Sequence, residues 1–399
     1  MKTPDFLIAG GGIIGVSIAR ELRRRFADAT ITILEKEPAC GQHASGRNSG
    51  VIHAGFYYTA DSLKAKFTRE GNLALTRFCE EEKIPVNRCG KLVVAQSEGD
   101  LPRLDELLSR GQRNGVPLEP ISAAEARKIE PRVKTHERAI FSPSTSTTDP
   151  LAVLEAMVRR ARLENIAIET DVSFLRRQGE EAITSRGVYR PGYLINAAGL
   201  YADKIALQYG FSEKYRILPF KGLYLYSSEP PGSLRTNIYP VPDLRNPFLG
   251  VHFTVTTEGQ AKIGPTAIPA LWREQYKGFE RLSLPELGEI LWRNLGLFAS
   301  ANFDFRRLAV EEMQKYWRPH LVRLAGKLAE GISPGQYTQW GKAGIRAQLL
   351  NIETRKLEMD FVLEGDRKSF HVLNAVSPAW TCSMPFSKYI CDKIQGLLG

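Results

Sequence analysis

Within its first fifteen residues the chain passes through a cluster of glycines, Asp5-Phe-Leu-Ile-Ala-Gly-Gly-Gly-Ile-Ile-Gly15. Residues 5–9 read as a short buried strand, and Val16 to Arg25 continue as a helix. Gly10, Gly12 and Gly15 occupy the G-x-G-x-x-G positions between them. The first permits a tight turn, the second lets a pyrophosphate approach the backbone, and the third lets helix and strand pack closely. The start of the helix offers free N–H groups and the positive end of its dipole to phosphates. A second strand, Thr30–Leu34, ends at Glu35, about twenty residues past the last glycine, where a carboxylate accepts hydrogen bonds from ribose hydroxyls. Strand, helix, strand and terminal acid in register predict an adenine-dinucleotide site.

A chain of 399 residues has room for two or three domains. No run approaches the eighteen or so apolar residues of a spanning helix, and with the glycine turn so early no signal or transit peptide is expected ahead of it. Five cysteines, Cys40, Cys79, Cys89, Cys382 and Cys391, show no CxxC spacing. That argues against a disulfide framework or a metal site and suits a reducing, cytoplasmic setting. The net charge of +10 fits an anionic substrate, an anionic lipid surface or a plain solvated face. No block of basic residues is interleaved with aromatics, so nucleic acid is not an expected partner.

Neither an internal repeat nor a flexible linker is visible, so the domains are expected to interleave. A polar, glycine-rich loop, Gly41–Gly55, follows the first βαβ segment. Asp61 to Glu82 reads as an amphipathic helix burying Leu63, Phe67, Leu73, Leu75 and Phe78. Ser122 with Glu125 forms a capping-box pattern ahead of a short helix stopped by Pro131. Asp149-Pro150 opens another helix, running to about Glu164. Tyr193–Asp203 is a second strand–turn–helix. Stretches at 217–226, 249–255 and 261–264 suggest an antiparallel sheet. Residues 270–330 read as mostly helical, and Pro385 to Leu398 as a final helix.

These segments, in this order, resemble the D-amino-acid-oxidase superfamily of flavoproteins and, within it, the L-2-hydroxyglutarate dehydrogenase/oxidase family. The carrying stretches are Asn48-Ser-Gly-Val-Ile-His-Ala-Gly-Phe-Tyr-Tyr58, Leu218–Gly222, Ile238–Asp243, Pro247–Phe253, Ile263–Pro265, Gly344–Gln348 and Asn374–Pro378. The first of them is the most specific, and together they span nearly the whole chain. Two positions depart from the pattern: Lys221 stands where arginine is common, and Trp380 where a small residue is common.

The resemblance implies an α/β fold, a Rossmann-type FAD-binding domain of the glutathione-reductase kind with an inserted antiparallel-sheet substrate domain. The expected boundaries are 1–88, 141–215 and 336–399 for the discontinuous FAD domain. Residues 89–140 and 216–335 form the substrate domain, with a helical insert at about 270–330. An extended cofactor must be contacted by chain that returns to it repeatedly. Loop 45–50, the 196–199 turn and the 374–380 stretch are such return points, which selects FAD over NAD. Gly10, Gly12 and Gly15, with Ile13 and Ile14, are assigned to the pyrophosphate, and Glu35, with Lys36, to the adenosine ribose. Ser45, Arg47, Asn48, Ser49 and Gly50 are assigned to the middle of the molecule. The alternative for each Ser or Asn is a turn residue bonding its own backbone. By resemblance, the backbone of Val172 meets the adenine, and Ala198, Gly199 and Asp203 form a second dinucleotide contact. Gly344, Ser377, Pro378, Ala379, Trp380 and Thr381 complete the cofactor set.

The implied reaction is oxidation of L-2-hydroxyglutarate to 2-oxoglutarate by hydride transfer from C2 to flavin N5, with an amino acid or another 2-hydroxy acid as the alternative substrate. Such chemistry needs a cation for the carboxylate, a base for the hydroxyl proton and an aligned C2–H. Arg346 resembles a substrate-binding arginine of the superfamily, and guanidinium matches carboxylate geometry. Lys221 is the candidate for the distal carboxylate, and Tyr239 for the substrate surroundings. His53 and His252 compete for the base, a neutral imidazole being suited to that task. His53 has two further readings, a flavin hydrogen bond or a covalent flavin attachment. The electron acceptor is a quinone or oxygen. Trp272, Tyr276 and Phe279 beside Arg273 and Lys277 suggest peripheral docking on the inner face of a bacterial inner membrane, the alternative being that these aromatics are core residues of a helical insert.

Overall fold

The computed structural model describes residues 1–243, 248–300 and 305–399. Pro247, which opens one family-like stretch, and residues 301–304 of the expected helical region lie outside them. Two compact units emerge: Met1–Asn48, Pro150–Pro219 and Arg346–Gly399 form one, and Ser49–Asp149 with Phe220–Ile345 the other. Residues 336–345 thus group with the second unit and 216–219 with the first, the reverse of the expected boundaries, and residues 49–88 and 141–149 likewise leave the nucleotide segments for the second unit. The reason is local pairing, because Val51–Ile52 and Val86–Asn87 both hydrogen-bond to Ser146–Thr148 in a small sheet of their own.

The first unit holds a six-stranded sheet in the order Val362–Gly365, Ser369–Asn374, Tyr193–Asn196, Phe6–Ala9, Ile31–Leu34, Ala167–Glu169. All pairs are parallel except the edge strand Val362–Gly365. Phe6–Ala9 and Ile31–Leu34 are buried at every position, as parallel strands covered on both faces must be. Helix Ile13–Arg25 packs on the helix Pro150–Leu163 and on the C-terminal helix Ala379–Leu398. That last helix starts six residues before the expected Pro385, which lies inside it. Proline removes one main-chain hydrogen bond there, while the neighbouring Phe386 stacks on Phe361 at 4.2 Å. The fold is the expected Rossmann-type α/β class.

In the second unit an eight-stranded sheet runs Tyr337–Trp340, Leu225–Ser227, Ala261–Gly264, His252–Val255, Asn237–Pro240, Lys91–Val94, Arg138–Ser142, Glu119–Ser122. It is not purely antiparallel: Asn237–Pro240 runs parallel to Lys91–Val94, two strands joined by a long excursion of chain. Alternation assigns its two faces. Leu92, Val94, Leu225, Ile238, Phe253 and Ile263 point to one side, into a core completed by Leu321, Val322 and Ala325 of helix Arg318–Ala325. Their register neighbours Lys91, Tyr239, His252, Thr254, Lys262 and Tyr226 share the other side.

The helix Leu63–Glu81 buries Phe67, Leu75 and Phe78, yet Leu73 is exposed. Asn72 takes the inward place, its amide donating to the carbonyls of Ile52, His53 and Ser144. The capping box at Ser122 and Glu125 is present. Among the described residues between 270 and 330, helix is confined to Leu284–Ser300, Phe305–Gln314 and Arg318–Ala325.

Candidate active site

The glycine turn separates its three tasks physically. A Cβ on Gly10, where φ is +114°, would lie 2.4 Å from the Ala197 carbonyl oxygen, and one on Gly15 would lie 2.0 Å from that of Gly10. Those two glycines are required by the packing of the chain on itself. A Cβ on Gly12 would meet only the Ser45 hydroxyl, at 3.0 Å, so its bareness faces no backbone and leaves room for a phosphate. The helix that begins at Ile13 has no cap from its own N-cap residue. Instead Ser45 Oγ, from the following loop, accepts the Ile13 N–H at 2.9 Å and ties that loop to the turn.

Glu35 is buried, and its carboxylate accepts the Gly11 and Glu37 N–H groups, each at 3.0 Å. Burial raises its pKa in spite of those donors and of Lys36 nearby. Each oxygen keeps a lone pair for a further hydrogen bond. Lys36 pairs with Glu37 and lies 5.8 Å from the Tyr201 ring centre. Asn48 donates to the carbonyls of Ala44 and Ser45, and Arg47 to that of Gln42, so both shape their loop. Ser49 Oγ accepts the Val51 N–H at 3.3 Å, and Gly50 sits at φ +75°. The Val172 N–H is spent on the Glu35 carbonyl, which aligns this segment with the acid. Asp203 is fully buried and accepts the N–H groups of Lys204 and Ile217. Gly199 has φ +54° with open space around it, at the end of the turn that includes Ala198. Ser377 and Pro378 lead into the helix whose first residues are Ala379, Trp380 and Thr381. Trp380 Nε1 is buried without a hydrogen-bond partner among the described residues. A bare glycine, a buried acid with spare lone pairs and an orphaned indole N–H fit an adenine dinucleotide.

The second unit concentrates its polar side chains on one face of the eight-stranded sheet. His252 stacks on Tyr239 with ring centres 3.7 Å apart and an interplanar angle of 18°. Its Nδ1 lies 2.8 Å from the Gly250 carbonyl, which places the proton on Nδ1 and the lone pair on Nε2. Burial, with the charges of Lys91, Lys262 and Lys315, presses its pKa down to about 3, so the ring is neutral at physiological pH. Burial lifts the Tyr239 hydroxyl well above its ordinary range. Lys262 donates to the Ser49 carbonyl at 3.0 Å and lies 4.9 Å from the Tyr224 ring centre. Desolvation lowers it to about 8, with Glu258 and Asp149 opposing.

His53 is half-buried, and its carbonyl is held by Asn72. Lys221 is buried on the strand Tyr215–Gly222, where desolvation lowers its pKa. Gly344 and Arg346 lie on the strand Gly344–Asn351, Gly344 in the second unit and Arg346 at the start of the last segment of the first. Residue-by-residue reading passed over Lys91, Tyr57, Lys262 and Asn72. For the two lysines a signal was present: each is the one charged residue of an otherwise apolar strand, Lys-Leu-Val-Val and Ala-Lys-Ile-Gly, at a position of the face opposite the core.

The family model described as FAD dependent oxidoreductase (DAO) matches residues 5–393. The chain belongs to this family. It is 36% identical over 399 residues to the L-2-hydroxyglutarate dehydrogenase of Salmonella houtenae, covering 98% of this chain and 93% of that one. The human mitochondrial L-2-hydroxyglutarate dehydrogenase is 35% identical, with 98% and 88% covered. Among solved structures, the FAD-bound L-alpha-glycerophosphate oxidase of Mycoplasma pneumoniae superposes with a TM-score of 0.77 at 20% identity, over 100% of this chain and 95% of that one. Glycine oxidase from Geobacillus kaustophilus gives 0.74 at 18%, over 99% and 95%. These two bear on the fold alone. Like the rest of the family, the chain is an FAD-dependent oxidoreductase.

Proposed function

We propose that this protein oxidises L-2-hydroxyglutarate to 2-oxoglutarate. The observation that carries the reading is end-to-end similarity to dehydrogenases named for that acid. It is joined by a sheet face bearing a neutral histidine and buried cations, which suits an anionic alcohol. Gly10, Gly12, Gly15 and Glu35 would hold the pyrophosphate and ribose of FAD. The rest of the assigned set would hold the remainder: Ile13, Ile14, Lys36, Ser45, Arg47, Asn48, Ser49, Gly50, Val172, Ala198, Gly199, Asp203, Gly344, Ser377, Pro378, Ala379, Trp380 and Thr381. When bound, FAD supplies the acceptor for the hydride that leaves C2. Arg346 would anchor the adjacent carboxylate, and the Nε2 lone pair of His252 would receive the hydroxyl proton, leaving a carbonyl at C2. His53 is the rival for that proton. An anaerobic screen of flavin bleaching across 2-hydroxy and 2-amino acids tests the reading. Rapid bleaching by L-2-hydroxyglutarate supports it, and bleaching by amino acids alone replaces it with amine oxidation.

We further propose that the protein works at an anionic bilayer and passes electrons to a quinone. The surface first expected to dock is not the one available, since Trp272 and Arg273 are buried, Arg273 against Glu286 and Glu289. Phe279 is exposed, however, and so are Leu284, Leu291, Trp292 and Leu295 on one side of helix Leu284–Ser300. An apolar helix face preceded by Lys277 and Arg281 has the make-up of an interfacial element. None of the helices, among the described residues, is long and apolar enough to cross a membrane. Faster reduction of a quinone analogue than of oxygen supports this assignment, and the reverse marks an oxidase.

A further inference from the structure

Lys91 opens the strand Lys91–Val94 in the middle of the eight-stranded sheet and is 1% exposed. Its Nζ lies 4.5 Å from the ring centre of Phe56, 4.4 Å from that of Tyr57 and 4.8 Å from that of Tyr239. No hydrogen-bond acceptor or carboxylate stands against it among the described residues, and desolvation alone shifts its pKa, down to about 7. The titratable groups facing it are the Tyr57 and Tyr239 phenols and, through the shared Tyr239 ring, His252. None is acidic at neutral pH. Tyr57 adds a second orphan, a buried hydroxyl without a partner among the described residues. Aromatic faces offset part of the cost of a buried ammonium. The remainder is relieved by loss of the proton, which is what the lowered pKa expresses, or by the arrival of an anion that keeps the ammonium charged.

We infer that Lys91, with the unpartnered hydroxyl of the Tyr57 whose ring it faces, binds the distal carboxylate of a dicarboxylate substrate and so selects diacids over monoacids. The inference rests on the 2-hydroxy-acid reading above. That reading gives the carboxylate next to the reacting carbon to Arg346, so a cation is still needed for the other end of a five-carbon diacid. Lys221, the candidate from sequence, lies on a different strand, outside the polar sheet face. A consequence reaches His252. The charge of Lys91 helps keep that ring unprotonated, and pairing it with a carboxylate relieves the suppression, so the base strengthens once the diacid is seated.

The test measures binding of 2-oxoglutarate and of 2-oxobutyrate to the oxidised holoenzyme by titration calorimetry, for wild type, Lys91→Met and Lys91→Gln. Both variants should lose roughly 10- to 100-fold in 2-oxoglutarate affinity and little in that of 2-oxobutyrate. Equal losses for both acids, or none, overturn the assignment. Thermal melting gives a readout that a purely structural lysine would move the other way. Lys91→Met should melt a few degrees higher than wild type, since it removes a buried charge, whereas a lysine serving as a cation–π pin would leave the variant less stable. Should neither variant fold, the wild-type protein decides alone: 2-oxoglutarate affinity must fall relative to that of 2-oxobutyrate as pH rises from 6 to 9, and parallel profiles overturn the assignment. Turnover of L-2-hydroxyglutarate, measured alongside, separates the two claims. Turnover without selective loss refutes the role of Lys91 alone, and no turnover refutes the reading beneath it.

Discussion

The glycine turn and the polar face of the eight-stranded sheet present two ways of building a site. In the turn, backbone does the work: Gly10 and Gly15 are bare because a Cβ would strike main-chain carbonyl oxygens, whereas a Cβ on Gly12 would meet no main chain, only the Ser45 hydroxyl. On the sheet face, side chains from Lys91, Tyr239, His252 and Lys262, far apart in sequence, meet because strand register aligns them. The first arrangement is local and tolerates almost no substitution. The second is assembled at long range and lets each side chain be exchanged singly.

The largest effect should break the turn. Gly12→Val should leave a folded, colourless protein, with FAD absorbance lost and circular dichroism kept, whereas Gly15→Val should fail to fold. Loss of folding in both would erase the distinction between packing glycine and ligand glycine. Next, Arg346→Ala should lower catalytic efficiency roughly 30- to 1000-fold with FAD retained, and Arg346→Lys should recover part of it. Near-normal efficiency would remove Arg346 from the site. On the sheet face, His252→Ala should slow flavin reduction in stopped flow by roughly a hundredfold, with His53→Ala altering mainly the flavin spectrum. Exchanged phenotypes would move the base to the other histidine.

Smaller effects sharpen the contrast. Trp292→Glu should weaken salt-reversible co-sedimentation with anionic vesicles by about tenfold, given the apolar area of an indole. Wild-type protein that stays in the supernatant at low salt removes the docking proposal. The smallest effect concerns pH. Lys91 and Lys262 titrate near 7 and 8 when folded and near 10.4 when unfolded. Between those values the unfolded chain binds more protons, so both lysines contribute a stability that rises with pH from about 7 to about 10. The slope of melting temperature against pH over that window should therefore be shallower in Lys91→Met, and equal slopes would place the lysine in water.

How far each region could be read beforehand follows from its construction. The turn, the strand to Leu34 and Glu35 lie within one stretch of chain, so their spacing carries the information. His252 and Tyr239 were visible as residue types in β-like runs, but their stacking depends on a register that no local pattern encodes. Leu73 was expected inside its helix on hydrophobicity. Asn72 lies there because three carbonyls around the His53 segment need a donor, a demand set by distant chain. Trp272 could be read as a docking aromatic or as a core residue, and it is buried, with its indole N–H donating to the Glu280 carbonyl, while the exposed apolar residues occupy the next helix.

The division of the chain has a temporal consequence. The nucleotide unit is drawn from three stretches, and its central sheet is not whole until Ser369–Asn374 has joined Tyr193–Asn196. A ribosome has therefore delivered nearly the entire polypeptide before a competent flavin cradle can exist, and sequence-distant pairings of this kind close slowly. Nascent fragments released before residue 369 should carry the glycine turn and still capture no flavin.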